Sequence, residues 1–198
     1  MKLVAIAGCS GSGKTALARA LAGRLASCVC VTLDAYYRAQ SHLPREHRAL
    51  QNYDHPDALE WPLLVKHLRR LLRGESVETP VYLFEEHTRA PHTEPLRPAD
   101  VVVVEGILAL HHPAVRGLAH LRVFVDANTH TCLARRLRRD VHERGRSQDS
   151  VLRQYRQTVW PMAERYVLPS RQHADLIVSG ERPVEEAVQA VLAGLRGC

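Results

Sequence analysis

The sequence predicts an α/β fold in which helices cover both faces of a parallel sheet, and three observations carry that reading. Apolar runs of strand length recur at 2–7, 29–34, 101–106, 121–126 and 174–179, separated by stretches with helical spacing. Residues 101–104 are four consecutive valines, the pattern of a strand buried on both faces. A glycine-rich segment, "GCSGSGKT" at 8–15, joins the first run to the first helical stretch.

Each element follows from its own residues. "KLVAIA" (2–7) is a first strand rather than a signal peptide, being a brief apolar stretch with one lysine. "KTALARALAGRLA" (14–26) sets Leu17, Leu21 and Leu25 on one helical face, and "VCVTLD" (29–34) is rich in strand formers. Residues 35–55 are polar and show no strong period. "WPLLVKHLRRLLRG" (61–74) is a helix with Pro62 in its first turn and Gly74 past its end. "VETPVYLF" (77–84) reads as a short hairpin or edge strand bent at Pro80, and "RAPHTEPLRPAD" (89–100), with three prolines, as a loop. After the strands at 101–106 and 121–126, a long basic helix starts near Thr129. "SVLRQYRQTVWPMAERYV" (150–167) is helical and bent at Pro161, "ADLIVS" (174–179) is the last strand, and Pro183 opens the final helix. No repeat, low-complexity tract or linker interrupts the pattern, so residues 1–198 are expected to form one domain with a small hairpin insertion at about 77–90.

Composition narrows the partners. The net charge is +6, and the basic residues are 24 arginines against three lysines. No aromatic-interleaved basic patch accompanies that charge, so nucleic acid is not an expected partner. No apolar run approaches the roughly 20 residues of a membrane span, so no membrane is expected either. The cysteines, Cys9, Cys28, Cys30, Cys132 and Cys198, are odd in number and lack any CxxC or Cys/His metal spacing. Reduced, buried thiols in a cytoplasmic protein are the expectation.

Gly8, Gly13, Lys14 and Thr15 fit the phosphate-loop pattern G-x-x-x-x-G-K-[ST]. Backbone N–H groups of Gly8, Cys9, Ser10, Gly11, Ser12 and Gly13 can curl around phosphate oxygens, and the helix that follows adds about half a positive charge at its N-terminus. Lys14 reaches the outer phosphates of a nucleotide such as ATP, and the Thr15 hydroxyl suits Mg²⁺. The second strand ends in Asp34 and a later one in Glu105, and ligands of parallel sheets gather beyond the carboxyl ends of strands. Asp34, with its strand expected next to the loop strand, is the candidate general base for an alcohol nucleophile. Glu105 is the candidate metal-shell acid, and Thr15, Asp34 and Glu105 form the expected metal set. An Asn-Lys-x-Asp element and an LSGGQ-like signature are both absent, which favours a kinase of small molecules over a GTPase or a transport motor.

Further along, "LDAYYR" (33–38), "NYDHPDALEW" (52–61), "PVYLFEEHTR" (80–89), "VVVVEGIL" (101–108), "LRRDVHERGR" (137–146) and "QYRQTVWPMAERYVLPSRQHADLIV" (154–178) come in one order. In that order the chain resembles the uridine–cytidine kinase family over essentially its whole length, and "YDHPDA" and V-Y-x-F-x-x-H-[TS]-R are its most specific motifs. The resemblance implies a P-loop kinase fold with an Arg-rich lid at about 138–149, and transfer of the ATP γ-phosphate to the 5′-hydroxyl of uridine or cytidine. It implies Asp54 as the acid that accepts both ribose hydroxyls, Tyr82 and His87 at the pyrimidine edge, and Tyr53 and Phe84 as aromatic walls. It also implies nucleoside contacts from Arg136, Arg146 and Gln154, phosphate contacts from Arg139 and Arg144, and assembly as a dimer or tetramer. Two departures stand out: Leu83 occupies a position usually held by Asp, and "VSGERP" (178–183) replaces the usual Pro-Arg-Gly beside the adenine. The residues alone leave open a kinase of another small alcohol, such as nicotinamide riboside, pantothenate or ribulose phosphate. They also leave open a nucleotide-binding module without catalysis.

Overall fold

A computed structural model describes residues 1–197. The central sheet has five parallel strands: β1 (Lys2–Ala7), β2 (Cys28–Thr32), β5 (Val101–Glu105), β6 (Leu121–Asp126) and β7 (Leu176–Ser179). Their spatial order is β2-β5-β1-β6-β7, so β5, and not β2, lies beside the loop strand β1. This corrects the expected adjacency of the Asp34 strand. Four consecutive valines need neighbours on both edges and both faces, whereas β2 exposes Cys30 and Thr32 and suits an outer position.

Helices fill both faces. One apolar layer joins α1 (Lys14–Arg24) and α8 (Val184–Gly197) to the sheet through Leu17, Leu21, Val188 and Val191. The other layer packs α3 (Trp61–Leu72) and α4 (Pro113–Leu118) through Leu64, Leu68, Leu71 and Val115. Burying such side chains, at about 1.5–3 kcal/mol each, supplies the driving force that holds strand ends in register.

Several expectations change. The stretch 35–55 is not featureless: Leu33–Tyr36 forms a tight helical turn and α2 (Arg45–Ala49) a short helix. Strand β2 stops at Thr32, so Asp34 sits inside that turn rather than at the strand's last residue. The inserted hairpin runs beyond residue 90, pairing β3 (Val77–Leu83) with β4 (Thr88–Leu96), where the prolines had suggested a loop. Pro98 lies past the end of β4, and Pro91 and Pro95 are tolerated because β4 has only one partner and the register shifts between Pro80 and Tyr82, leaving Pro91 outside the paired positions. The segment after α5 (Thr129–His142) and α6 (Gln148–Gln154) stays helical to His173. Two wide turns, Tyr155–Val159 and Ala163–Val167, flank the short α7 (Trp160–Met162) that carries Pro161. They accommodate the N–H that Pro161 lacks, which would leave a gap in a regular α-helical ladder. Of the cysteines, Cys132 is buried, Cys9 and Cys28 are partly so and Cys30 is exposed, which corrects the uniform burial expected; Cys198 lies outside the described residues.

Candidate active site

The loop between β1 and α1 has the shape its glycines permit. Gly11 and Gly13 take φ of 86° and 102°, a region other residues rarely adopt, and α1 begins at Lys14 with no side chain capping its first turn. Its free N–H groups are therefore available to an anion. Lys14 is buried, and among the described residues the buried Ser12 hydroxyl has no hydrogen-bond partner. An uncapped helix end, a buried cation and an unpartnered hydroxyl fit a polyphosphate. Burial pushes the Cys9 thiol up to about 11, so Cys9 stays protonated and contributes through its backbone.

Gly180, just after β7, seals the far side of the loop. A Cβ there would collide with the Ser12 carbonyl, while its own carbonyl accepts from Arg135 at 2.7 Å. Thus "VSGERP" meets the phosphate loop through backbone, and Glu181 accepts from Thr131 at 2.6 Å. A cavity of about 470 Å³ opens here between Asp126, Asn128, Ser179 and Glu181. Gly180→Ala should cost about 1–3 kcal/mol through overpacking. At about 2–4 °C per kcal/mol, the melting midpoint should drop visibly in a thermal scan, with weaker nucleotide binding.

The acids converge on the loop. Thr15 Oγ1 donates to Glu105 Oε2 at 3.2 Å, so those two members of the expected metal set touch. The carboxyl of Glu105 is raised above the usual range by burial, against the pull of Lys14 and with the push of Asp34. Asp54 is also raised, first by burial, then balanced by Arg136 against Asp34. Asp54 and Glu105 therefore each lie within electrostatic reach of both Asp34 and Lys14, although the four come from separate segments. No side chain among the described residues donates a hydrogen bond to the Asp54 carboxylate. A buried carboxylate without donors is costly on its own and is suited to ligand hydroxyls.

Next to these acids stands an aromatic group. Tyr53, Tyr82 and Tyr37 meet edge to face at centroid distances of 5.2–6.2 Å, and His87 stacks on Tyr53 at 5.7 Å. Among the described residues the buried Tyr82 hydroxyl has no hydrogen-bond partner, and His87, at a φ of 50°, stacks its ring on Tyr53. Phe84 is more exposed than expected of a wall; it packs on Tyr82 and lies under the Arg144 guanidinium at 4.7 Å. The rest of the V-Y-x-F-x-x-H-T-R motif braces this group: Thr88 donates to the Ala39 carbonyl, and Arg89 pairs with Glu60 at 2.6 Å. Leu83, the departure from the family pattern, pairs with Thr88 in the hairpin and is half exposed.

The arginines share a hub. Asp140 is fully buried on α5 and lies within 3.7 Å of Arg136, Arg139, Arg144 and Arg146. Arg136 also donates to Ser10 at 2.9 Å and, with Arg146, to Gln154 Oε1 at 3.0 and 2.6 Å. The predicted lid arginines Arg139, Arg144 and Arg146 are thus gathered on one carboxylate, and Arg136, which shares it, reaches the phosphate loop. Gly145, with φ 61°, makes the turn between α5 and α6. Three residues of this region escaped sequence reasoning. Asp140 and Arg135 are charges within a charged run, and Tyr37 is one of two adjacent tyrosines in "LDAYYR", with nothing local to mark any of them. Tyr37 is buried, and that burial, with the nearby charges of Asp34 and Asp54, holds its phenol well above its ordinary value. Asp140→Asn should lower stability by an amount approaching the ~3–5 kcal/mol typical of breaking a buried pair, reduced by the partial exposure of three arginines. A denaturant midpoint measures it, and kcat should fall with it as the arginines separate.

Comparison with known proteins agrees in kind. Residues 3–185 match the family model described as "Phosphoribulokinase / Uridine kinase family". A uridine kinase from Vibrio parahaemolyticus is 48% identical over 182 residues, covering 89% of this chain and 85% of the relative. The uridine kinase from Vibrio cholerae is 47% identical over the same coverage. A structure described as a possible uridine kinase from Bacillus stearothermophilus superposes with a TM-score of 0.65 at 17% identity, over 89% of this chain and 87% of that one, which speaks to the fold.

Proposed function

Because the chain belongs to the phosphoribulokinase and uridine kinase family, we propose that it phosphorylates the 5′-hydroxyl of uridine and cytidine with ATP as donor. The observation that supports this acceptor most is Asp54: a buried carboxylate beside Lys14 that accepts no side-chain hydrogen bond among the described residues and suits the paired hydroxyls of a ribose. Asp34 takes the proton of the 5′-hydroxyl as its oxygen bonds to phosphorus, while Lys14 and the loop N–H groups hold the outer phosphates. Tyr82 and His87 meet the pyrimidine edge, and Tyr53 with Phe84 brackets its ring. Arg136, Arg146 and Gln154 close on the nucleoside side, and Arg139 and Arg144 offset charge on the transferring group. Thr15, Asp34 and Glu105 would hold Mg²⁺, which supplies charge neutralisation at the phosphates. The cavity at Asp126 and Glu181 takes the donor base. The enzyme works in the cytoplasm as a dimer or tetramer, and residues 1–198 act as one domain with the Arg-rich turn near 138–149 as its lid.

An acceptor panel with Mg·ATP tests this: uridine and cytidine should turn over, while nicotinamide riboside, pantothenate and ribulose phosphate should not. Turnover of one of the latter with both pyrimidine nucleosides inert would move the substrate assignment.

A further inference from the structure

On the outer face of α3, remote in sequence from the phosphate loop, lies a second cavity of about 380 Å³. Lys66, Arg69 and Arg73 line it at intervals of three and four residues, so their side chains share one helical face. Among the described residues the side chains of Lys66 and Arg69 make no hydrogen bond or ion pair, while Arg73 shares Glu75 with Arg70. The same cavity is walled by the rings of Trp61 and His112, which stack on one another at 4.6 Å and 19°. The wall is fixed, because Trp61 Nε1 donates to the Pro56 carbonyl at 2.9 Å. Burial, with Arg116 nearby, lowers the pKa of His112 and keeps that ring uncharged at neutral pH.

We propose that this cavity is a second small-molecule site, separate from the catalytic one, and that it takes a nucleotide. Its phosphates engage Lys66 and Arg69, and its heterocycle lies against the Trp61–His112 wall. Each half of the site demands one half of such a ligand. Inorganic phosphate would satisfy the cations and leave the aromatic wall to water, and a nucleoside would do the reverse. The volume sits at the low end of the ~300–1,000 Å³ usual for small-molecule sites, which favours a single nucleoside phosphate over a dinucleotide.

Tryptophan fluorescence can read the site directly, since the chain has two tryptophans and Trp160→Phe leaves Trp61 as the sole reporter. The background also carries Lys14→Ala and Asp54→Asn, which disable the catalytic site. ADP and UMP should then quench Trp61 saturably. Lys66→Ala with Arg69→Ala should weaken that binding at least tenfold, and Lys66→Glu alone should weaken it in the same direction. Both positions are exposed, and circular dichroism verifies that the variants remain folded. No saturable quenching at millimolar nucleotide, or equal quenching in the double alanine variant, would overturn the proposal. So would equal binding of tripolyphosphate or adenosine, or binding confined to an RNA oligonucleotide.

Discussion

Asp34→Asn should leave ATP binding intact and lower kcat by about 10²–10⁴-fold, the usual contribution of a positioned general base. Asparagine keeps the size and one acceptor oxygen of the side chain but cannot take the proton. The turn Leu33–Tyr36 that holds residue 34 is anchored by Leu33 and Tyr36, both buried, so the substitution leaves its scaffold in place. Isothermal titration with a non-hydrolysable ATP analogue and steady-state kinetics separate the two effects. Turnover unchanged by the substitution would remove Asp34 from the proton transfer.

The second large effect belongs to Asp54. Asp54→Asn should raise the KM for uridine by about 10²-fold or more, since hydrogen bonds to charged groups are worth about 1.5–3 kcal/mol each. The KM for ATP should change little. The pKa direction adds two consequences. In the free enzyme burial raises this carboxyl above the ordinary value of about 3.9, so it takes up its proton at a higher pH than an exposed aspartate. Uridine KM should therefore climb on acidification before ordinary carboxylates titrate. For stability the sign is opposite to that of a salt-bridged acid: the folded state binds the proton more tightly than the unfolded chain. Ionisation of Asp54 is then a penalty, fully present above the folded pKa and relieved as pH falls through it. Asp54→Asn should accordingly melt higher than wild type at neutral pH, with the difference shrinking towards acid. A variant that loses uridine and ATP equally, or melts lower at neutral pH, would contradict a ribose acid held at a cost in stability.

How much of this was legible in the sequence depends on the range of the interaction. The phosphate loop was, because eight contiguous residues encode both its turn and the helix it opens. Strand and helix identities were legible too, since apolar period is local. Strand order was not: placing β5 between β1 and β2 depends on crossovers and on which strand tolerates an exposed edge. The prolines of β4 misled for a related reason, as their cost vanishes when a strand has one partner and a register shift. Asp34, Asp54 and Glu105 could be nominated from motif and strand end, yet their shared electrostatic field appears only once the chain is folded. Asp140 was the least legible, for nothing in "RRLRRDVHERGR" marks one acid as the buried centre of four arginines.

Phosphorus NMR of the wild-type reaction with Mg·ATP and uridine asks the most direct question, namely which oxygen receives the phosphoryl group. The expected result is a phosphomonoester signal split by the two 5′-methylene protons, growing in step with ADP. Growth of ADP with inorganic phosphate and no ester would contradict transfer to the ribose 5′-hydroxyl.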